Sequence, residues 1–174
     1  MKVEVVEYSS KWPIMFQAEA LKIKNILRDE LIDIYHIGST AVENLKAKPI
    51  IDIMPVVRDI TKVDKYNKEF EALGYEHKGE FGIAGRRYFR KGLTVRTHQI
   101  HIFEISNTRD IDRHLAVRDY LRTHPQNAFE YGQLKSKLAA LYPFDNKAYC
   151  DGKDAFVKEL ERKALKWYYP YKDL

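Results

Sequence analysis

Residues 32–57, IDIYHIGSTAVENLKAKPIIDIMPVV, carry the reading that decides the fold. Ile32–Ile37 has the β-branched and aromatic composition of a short strand, and it runs into Gly38-Ser39-Thr40, a junction rich in backbone N–H groups and hydroxyls. Ala41 to Ala47 has room for one or two helical turns. Pro49 then opens a second strand, Ile50–Val57, apolar enough to be central in a sheet except at Asp52. The two strands should be neighbours, which sets Asp52 beside the glycine–serine turn. Apolar residues flank Asp52 on both sides, so its carboxylate sits in or beside the core, where a charge needs a partner. A structural ion pair is one reading; a metal-binding or catalytic carboxylate at a pocket edge is the other.

Working outward, Trp12, Phe16, Ala20, Ile23 and Leu27 recur at helical spacing over Lys11–Arg28, with Ser10 as cap and Pro13 in the first turn. Thr61–Leu73 reads as an amphipathic helix stopped by Gly74. Tyr75–Lys78 and Arg86–Lys91 read as strands separated by glycine turns, and Val95–Ile105 as a longer strand after Gly92. Beyond Asp110 the pattern is helical, over Asp110–His124, Asn127–Tyr142 and Gly152–Tyr168, with Pro125 and Pro143 as separators. The class is α+β: a small mixed sheet packed with helices and a helical C-terminal third, in a single domain over residues 1–174.

Composition narrows the function. At 174 residues with 45% hydrophobic content, the chain can bury one ordinary core, which argues against disorder. A single cysteine, Cys150, excludes an internal disulfide. Glu4 and Glu7 stand where a signal peptide needs apolar residues, and no stretch is apolar enough to span a membrane, so a cytoplasmic chain is expected. The net charge of +5 is uneven: residues 1–80 hold 12 cations and 14 anions, the remainder 18 and 11. From Phe81 to Phe103 there is no acid, while Arg86, Arg87, Arg90, Lys91 and Arg96 are all present. Such a run suits nucleic acid, a membrane surface or a small phosphorylated molecule, unless it is only the solvated face of a hairpin.

The C-terminal helices add cations. Arg118 falls on the apolar side marked by Ile111, Leu115 and Leu121, with Arg122 beside it, and Lys135 falls among Tyr131, Leu134, Leu138 and Tyr142. Inward-facing positive charge calls for an anion, unless both side chains snorkel to the rim. His98 and His101, three apart on a strand, point to opposite faces and make no zinc site by spacing. No G-x-S-x-G marks Ser39 as a nucleophile, and no P-loop motif occurs.

HIGSTAV at 36–42 and AKPIIDI at 47–53, with Lys11-Trp12-Pro13, Leu73-Gly74-Tyr75, Arg118-Asp119-Tyr120-Leu121-Arg122, Tyr131 and Lys135, resemble the GrpB family, a relative of the nucleotidyltransferase-fold superfamily. The resemblance covers nearly the whole chain. It implies a phosphate-holding turn at Gly38 and Ser39; Thr40 beside it, and Lys48, Arg86, Arg87, Arg118 and Lys135 by their charge, are the further candidates for holding or neutralising the anion. In the superfamily a D-x-D pair and a third acid hold two magnesium ions for attack on a nucleotide α-phosphate. Here Asp52 matches one acid and would carry a single Mg2+, Met54 occupies the second position, and His101 stands for the third as a polar wall or proton carrier. The implied function is binding of a nucleotide or another phosphorylated small molecule, extending to magnesium-dependent nucleotidyl transfer. GrpB-like segments fused to dephospho-CoA kinase are thought to assist its folding, so a non-catalytic binding or folding-accessory module is the alternative. The acid-poor run, Arg118 and Lys135 are expected to converge on a pocket with Asp52 and Ser39, which disfavours nucleic acid as the partner.

Overall fold

The computed structural model describes residues 2–170. These form two compact units, one made of residues 10–37 and 50–111, the other of residues 2–9, 38–49 and 112–170. Among the described residues no helix is long and apolar enough to cross a membrane.

The first unit is a five-stranded sheet with helices. Its elements are α1 (Lys11–Leu27), β1 (Leu31–Ile37), β2 (Ile51–Val57), α2 (Asn67–Ala72), β3 (Tyr75–His77), β4 (Arg86–Lys91) and β5 (His98–Glu104). The strand order is β1-β2-β5-β4-β3, with β2 and β5 parallel and all other pairs antiparallel. The strands β1 and β2 are neighbours, as the sequence reading expects, and Ile37 pairs with Asp52 across them. One row of strand residues, Ile51, Ile53, Val57, Ile100 and Phe89, is fully buried with Ile23 and Leu27 of α1 and Phe70 of α2. Each such side chain contributes roughly 1.5–3 kcal/mol of hydrophobic stabilisation. Phe70 packs on Phe89 with ring centroids 4.3 Å apart.

A buried carboxylate ties α1 to the far strands. Glu19 is 3% exposed and accepts hydrogen bonds from Tyr75 Oη at 2.9 Å, Lys91 Nζ at 3.0 Å and Lys22 Nζ at 3.1 Å. Burial alone would push the Glu19 carboxyl up, but these three donors outweigh it and hold it below its ordinary value.

In this unit the structure departs from the sequence reading at three places. The expected helix over Thr61–Leu73 is split into a 3₁₀ segment, Ile60–Tyr66, and the short α2. Val63 and Tyr66 are buried three residues apart and Phe70 four further on, so the inward face first follows the tighter period and then the α-helical one. The expected strand over Val95–Ile105 shortens to His98–Glu104: Leu93 and Val95 are exposed, and Gly92 (φ +96°) opens a loop closed by the Thr97 N–H on the Lys91 carbonyl. Ser10 precedes α1 without a side-chain cap.

The second unit is helical. The chain crosses into it along α3 (Thr108–Thr123) and continues through α4 (Pro125–Leu141) and α5 (Asn146–Tyr168). Pro125 is the first residue of α4 rather than a separator, a position where its missing N–H costs nothing. The last helix starts six residues before Gly152, at Asn146, because Asp145 caps it by accepting the Ala148 N–H. Gly152 lies inside α5 where a Cβ would come within 2.6 Å of Leu138, so the glycine permits close approach of α4 and α5. Val42 and Leu45 complete this core with Ala116, Leu121, Tyr131, Leu160 and Ala164.

Because the Glu19 carboxyl is lowered in the folded chain, its contribution is present above the ordinary glutamate range and is lost as pH falls through the folded value. Glu19→Gln should cost about 2–3 kcal/mol at neutral pH. Urea denaturation should show the deficit of the variant shrinking towards pH 4 and below.

Candidate functional site

The sheet unit carries one polar group on the face that holds Asp52. Strand alternation and register set Asp52, Gln99, His101, Tyr88 and Arg86 on that face. His101 Nε2 lies 3.0 Å from Asp52 Oδ1, and its Nδ1 lies 3.3 Å from Arg86 Nη1. A guanidinium only donates, so Nδ1 accepts and the ring proton sits on Nε2, donated to Asp52. The partner of Asp52 is therefore a histidine rather than the basic residue of a simple ion pair; the Asp52 side chain is 25% exposed. Arg86 is further fixed by Nε on the Glu80 carbonyl (3.1 Å) and Nη2 on the Phe81 carbonyl (2.7 Å), and it stacks over Tyr88.

Arg87 is not part of this group. Its register partner is Ile102, on the opposite face, and it forms a two-pronged ion pair with Asp64 at 2.7 and 3.2 Å. Arg90 binds Glu76 at 2.7 Å and Lys91 binds Glu19. The acid-poor run is thus largely compensated by carboxylates from other segments, and of its cations Arg86 faces His101. His98 and His101 do point to opposite faces: His98 pairs with Lys91 and feels Glu19, and burial holds its imidazole below the ordinary histidine value. Glu104 also faces away, capping the Ile60 N–H.

The helical unit carries a second group. Gly38 (φ 72°, ψ −171°) adopts a conformation that only glycine tolerates, and Ser39–Ala41 then forms one 3₁₀ turn. Thr40 is buried and Ser39 half-buried. From α4, Lys135 reaches the turn: its Nζ donates to Ser39 Oγ at 2.8 Å and lies 4.3 Å from the Tyr131 ring centroid. Lys135 is only 2% exposed, so it does not snorkel, and among the described residues no carboxylate pairs with it. Burial, reinforced by the like charges of Lys153 and Lys48, brings its amine down to about 6. Lys48 donates to Asn146 Oδ1 at 3.1 Å, and Lys48 and Lys153 flank the buried Tyr149 ring at 5.0 and 5.3 Å.

Arg118 and Arg122 are engaged differently. Arg118 Nε meets Asp119 Oδ1 at 2.8 Å, and Arg122 donates twice to the Ala41 carbonyl, bracing the turn from behind. Sequence reasoning did not name Asn146, Tyr149 and Lys153. Their spacing sets them on one face of α5, and starting that helix at Gly152 left the first two outside it.

A cytoplasmic RNA terminal U-transferase shares this fold, with a TM-score of 0.53 at 17% identity over 75% of this chain and 41% of that one. The Cid1 poly(U) polymerase bound to MgATP is similar at TM-score 0.50 and 16% identity, over 76% and 45%. Five mixed strands with a helical C-terminal part thus define an α+β fold that these nucleotidyltransferases share. Within that class the chain belongs to the GrpB family, whose GrpB protein pattern matches residues 2–163. The crystal structure of conserved protein GrpB from Enterococcus faecalis overlays with a TM-score of 0.93 at 49% identity, covering 95% of this chain and 99% of that one. YqkA of Bacillus subtilis is 47% identical over 166 residues, and the chain spans 48% of its length.

The donor set does not fit the metal pair that the wider fold class suggests. Met54 is fully buried where a second carboxylate would stand, and one oxygen of Asp52 is already held by His101. Among the described residues no three carboxylate, histidine or cysteine side chains gather as a metal cluster.

Since the Lys135 amine is lowered in the folded chain, the unfolded chain holds the extra proton from about pH 6 up to the ordinary lysine value, and stability rises with pH across that window. Lys135→Met should remove this slope and stabilise the ligand-free protein by about 1–3 kcal/mol near neutrality. Denaturant titrations across the window, taken as the difference between variant and wild type, measure both effects.

Proposed function

We propose that this chain binds a nucleotide or another phosphorylated small molecule, with the Gly38–Thr40 turn and Lys135 as its phosphate-binding group. The observation that carries the reading is Lys135 itself. A lysine brought to 2% exposure, with a serine hydroxyl as its hydrogen-bond acceptor and two more lysines nearby, is unfavourable for folding. An anionic phosphate oxygen reverses that balance: it accepts from Ser39 Oγ and from a protonated Lys135, both charge-assisted bonds. Lys48 and Lys153 add long-range attraction, and Thr40 belongs to the same turn.

Asp52 and His101 act as a polar pair on their sheet face. His101 donates through Nε2 and is oriented by Arg86, so a proton can be held or passed at that nitrogen. Binding is better supported than transfer, because the buried Met54 removes one carboxylate that nucleotidyl transfer uses across this fold class. A binding or folding-accessory role is therefore the second reading.

Isothermal calorimetry with ATP, UTP and inorganic tripolyphosphate, each with and without magnesium, tests the proposal. All three should bind, and Ser39→Ala and Lys135→Met should each weaken binding by about 10- to 100-fold. Stability of Lys135→Met rules out unfolding as the cause. Heat and thermal shift silent for every phosphate would overturn the reading; incorporation of labelled nucleotide into an added acceptor would instead establish transfer.

A further inference from the structure

Phe81 is a residue whose placement folding does not explain. It sits between β3 and β4 with φ +46°, in the left-handed region that a bulky L residue adopts at a cost of about 1 kcal/mol or more. It is also 53% exposed, so the ring forgoes much of its hydrophobic burial. Yet the segment around it is tightly stapled. The Tyr88 N–H donates to the Gly79 carbonyl at 2.8 Å and the Lys78 N–H to the Tyr88 carbonyl at 2.9 Å. Glu80 accepts the Gly85 N–H, and Arg86 clamps the Glu80 and Phe81 carbonyls. A strained and exposed aromatic is thus held in one position.

One side of that ring lies on Tyr88, with centroids 5.1 Å apart and planes within 11°. Tyr88 in turn leans on His101, with centroids 5.4 Å apart, and burial and the Asp52 charge together hold its phenol above the ordinary tyrosine value. Phe81, Tyr88, His101 and Asp52 therefore form one continuous row within the sheet unit. Lys78 Nζ and Arg90 Cζ stand 5.7 and 6.0 Å from the Phe81 centroid, both bound to Glu76. An exposed aromatic ring with two cations near it is a surface for a flat, π-rich group carried on an anionic molecule.

We propose that Phe81 is a stacking platform for a nucleobase, backed by Tyr88 and fixed by Arg86. The inference rests on the phosphorylated-ligand reading only for the ligand's class: an aromatic base carried on an anionic, phosphorylated molecule. Its chemistry is shared by a free nucleotide and by the end of a nucleic-acid strand.

The test compares wild type, Phe81→Ala and Phe81→Trp by calorimetry with uridine, UTP, hexauridylate and inorganic tripolyphosphate, with circular dichroism as the check on folding. Phe81→Ala should weaken UTP about ten-fold or more and leave tripolyphosphate unchanged. Phe81→Trp should retain UTP affinity, and its added indole fluorescence should be quenched on binding. Hexauridylate bound more tightly than UTP, with the same dependence on Phe81, assigns the platform to a strand end; the reverse assigns it to a free nucleotide. Equal UTP affinity in wild type and a folded Phe81→Ala overturns the platform while leaving the phosphate reading intact. Phe81-dependent uridine binding with silent tripolyphosphate overturns the phosphate reading and upholds the platform. Silence with every probe overturns both.

Discussion

A lysine amine held out of water against a serine hydroxyl is the constraint on which the helical unit is arranged. Desolvation of Lys135 costs free energy that no carboxylate among the described residues returns. The surrounding structure nevertheless enforces it: Tyr131 lies under the amine, α5 approaches closely at Gly152, and Arg122 braces the turn through the Ala41 carbonyl. Gly38 supplies a backbone conformation other residues avoid, so the turn presents Ser39 to Lys135. A bound anion would offset the desolvation cost of Lys135, which is the basis of the phosphate-binding proposal.

The sheet unit follows a different logic. Parallel pairing of β2 with β5 sets Asp52 and His101 on one face, and antiparallel pairing of β4 adds Arg86 and Tyr88. Here the charges are satisfied internally. The histidine proton goes to Asp52, the guanidinium orders both the ring and the preceding loop, and neighbouring cations are matched by Glu76, Glu19 and Asp64. With Met54 buried in the strand beside Asp52, this face lacks the second carboxylate that a two-metal site needs.

Much of this was legible in the sequence, for physical reasons that differ by element. Arg86–Lys91 is read to the residue, because glycines bracket it on both sides. The adjacency of the strand carrying Asp52 to the one before the glycine turn is borne out by the pairing of β1 with β2, and the opposite facing of His98 and His101 follows from the two-residue strand period. Lys135 stands out because helical periodicity turns a charge inward. The 3₁₀ segment at Ile60–Tyr66 was hidden because its buried residues match both helical periods until Phe70 is placed. Asp145 was not recognised as a cap, so α5 began too late and its Asn146–Tyr149–Lys153 face was lost. Charge compensation was the least legible feature, since Asp64, Glu76 and Glu19 reach the basic run only through tertiary pairing.

Direct observation of the Lys135 amine tests the central claim. In protein labelled with nitrogen-15 lysine, the Lys135 side-chain resonance, assigned by its loss in Lys135→Met, can be titrated with and without inorganic tripolyphosphate. The account predicts titration at about 6 in the free protein and a clear upward move when the anion binds. A free-protein value at the ordinary 10.5 of lysine, or a bound anion that leaves the titration unmoved, would contradict it.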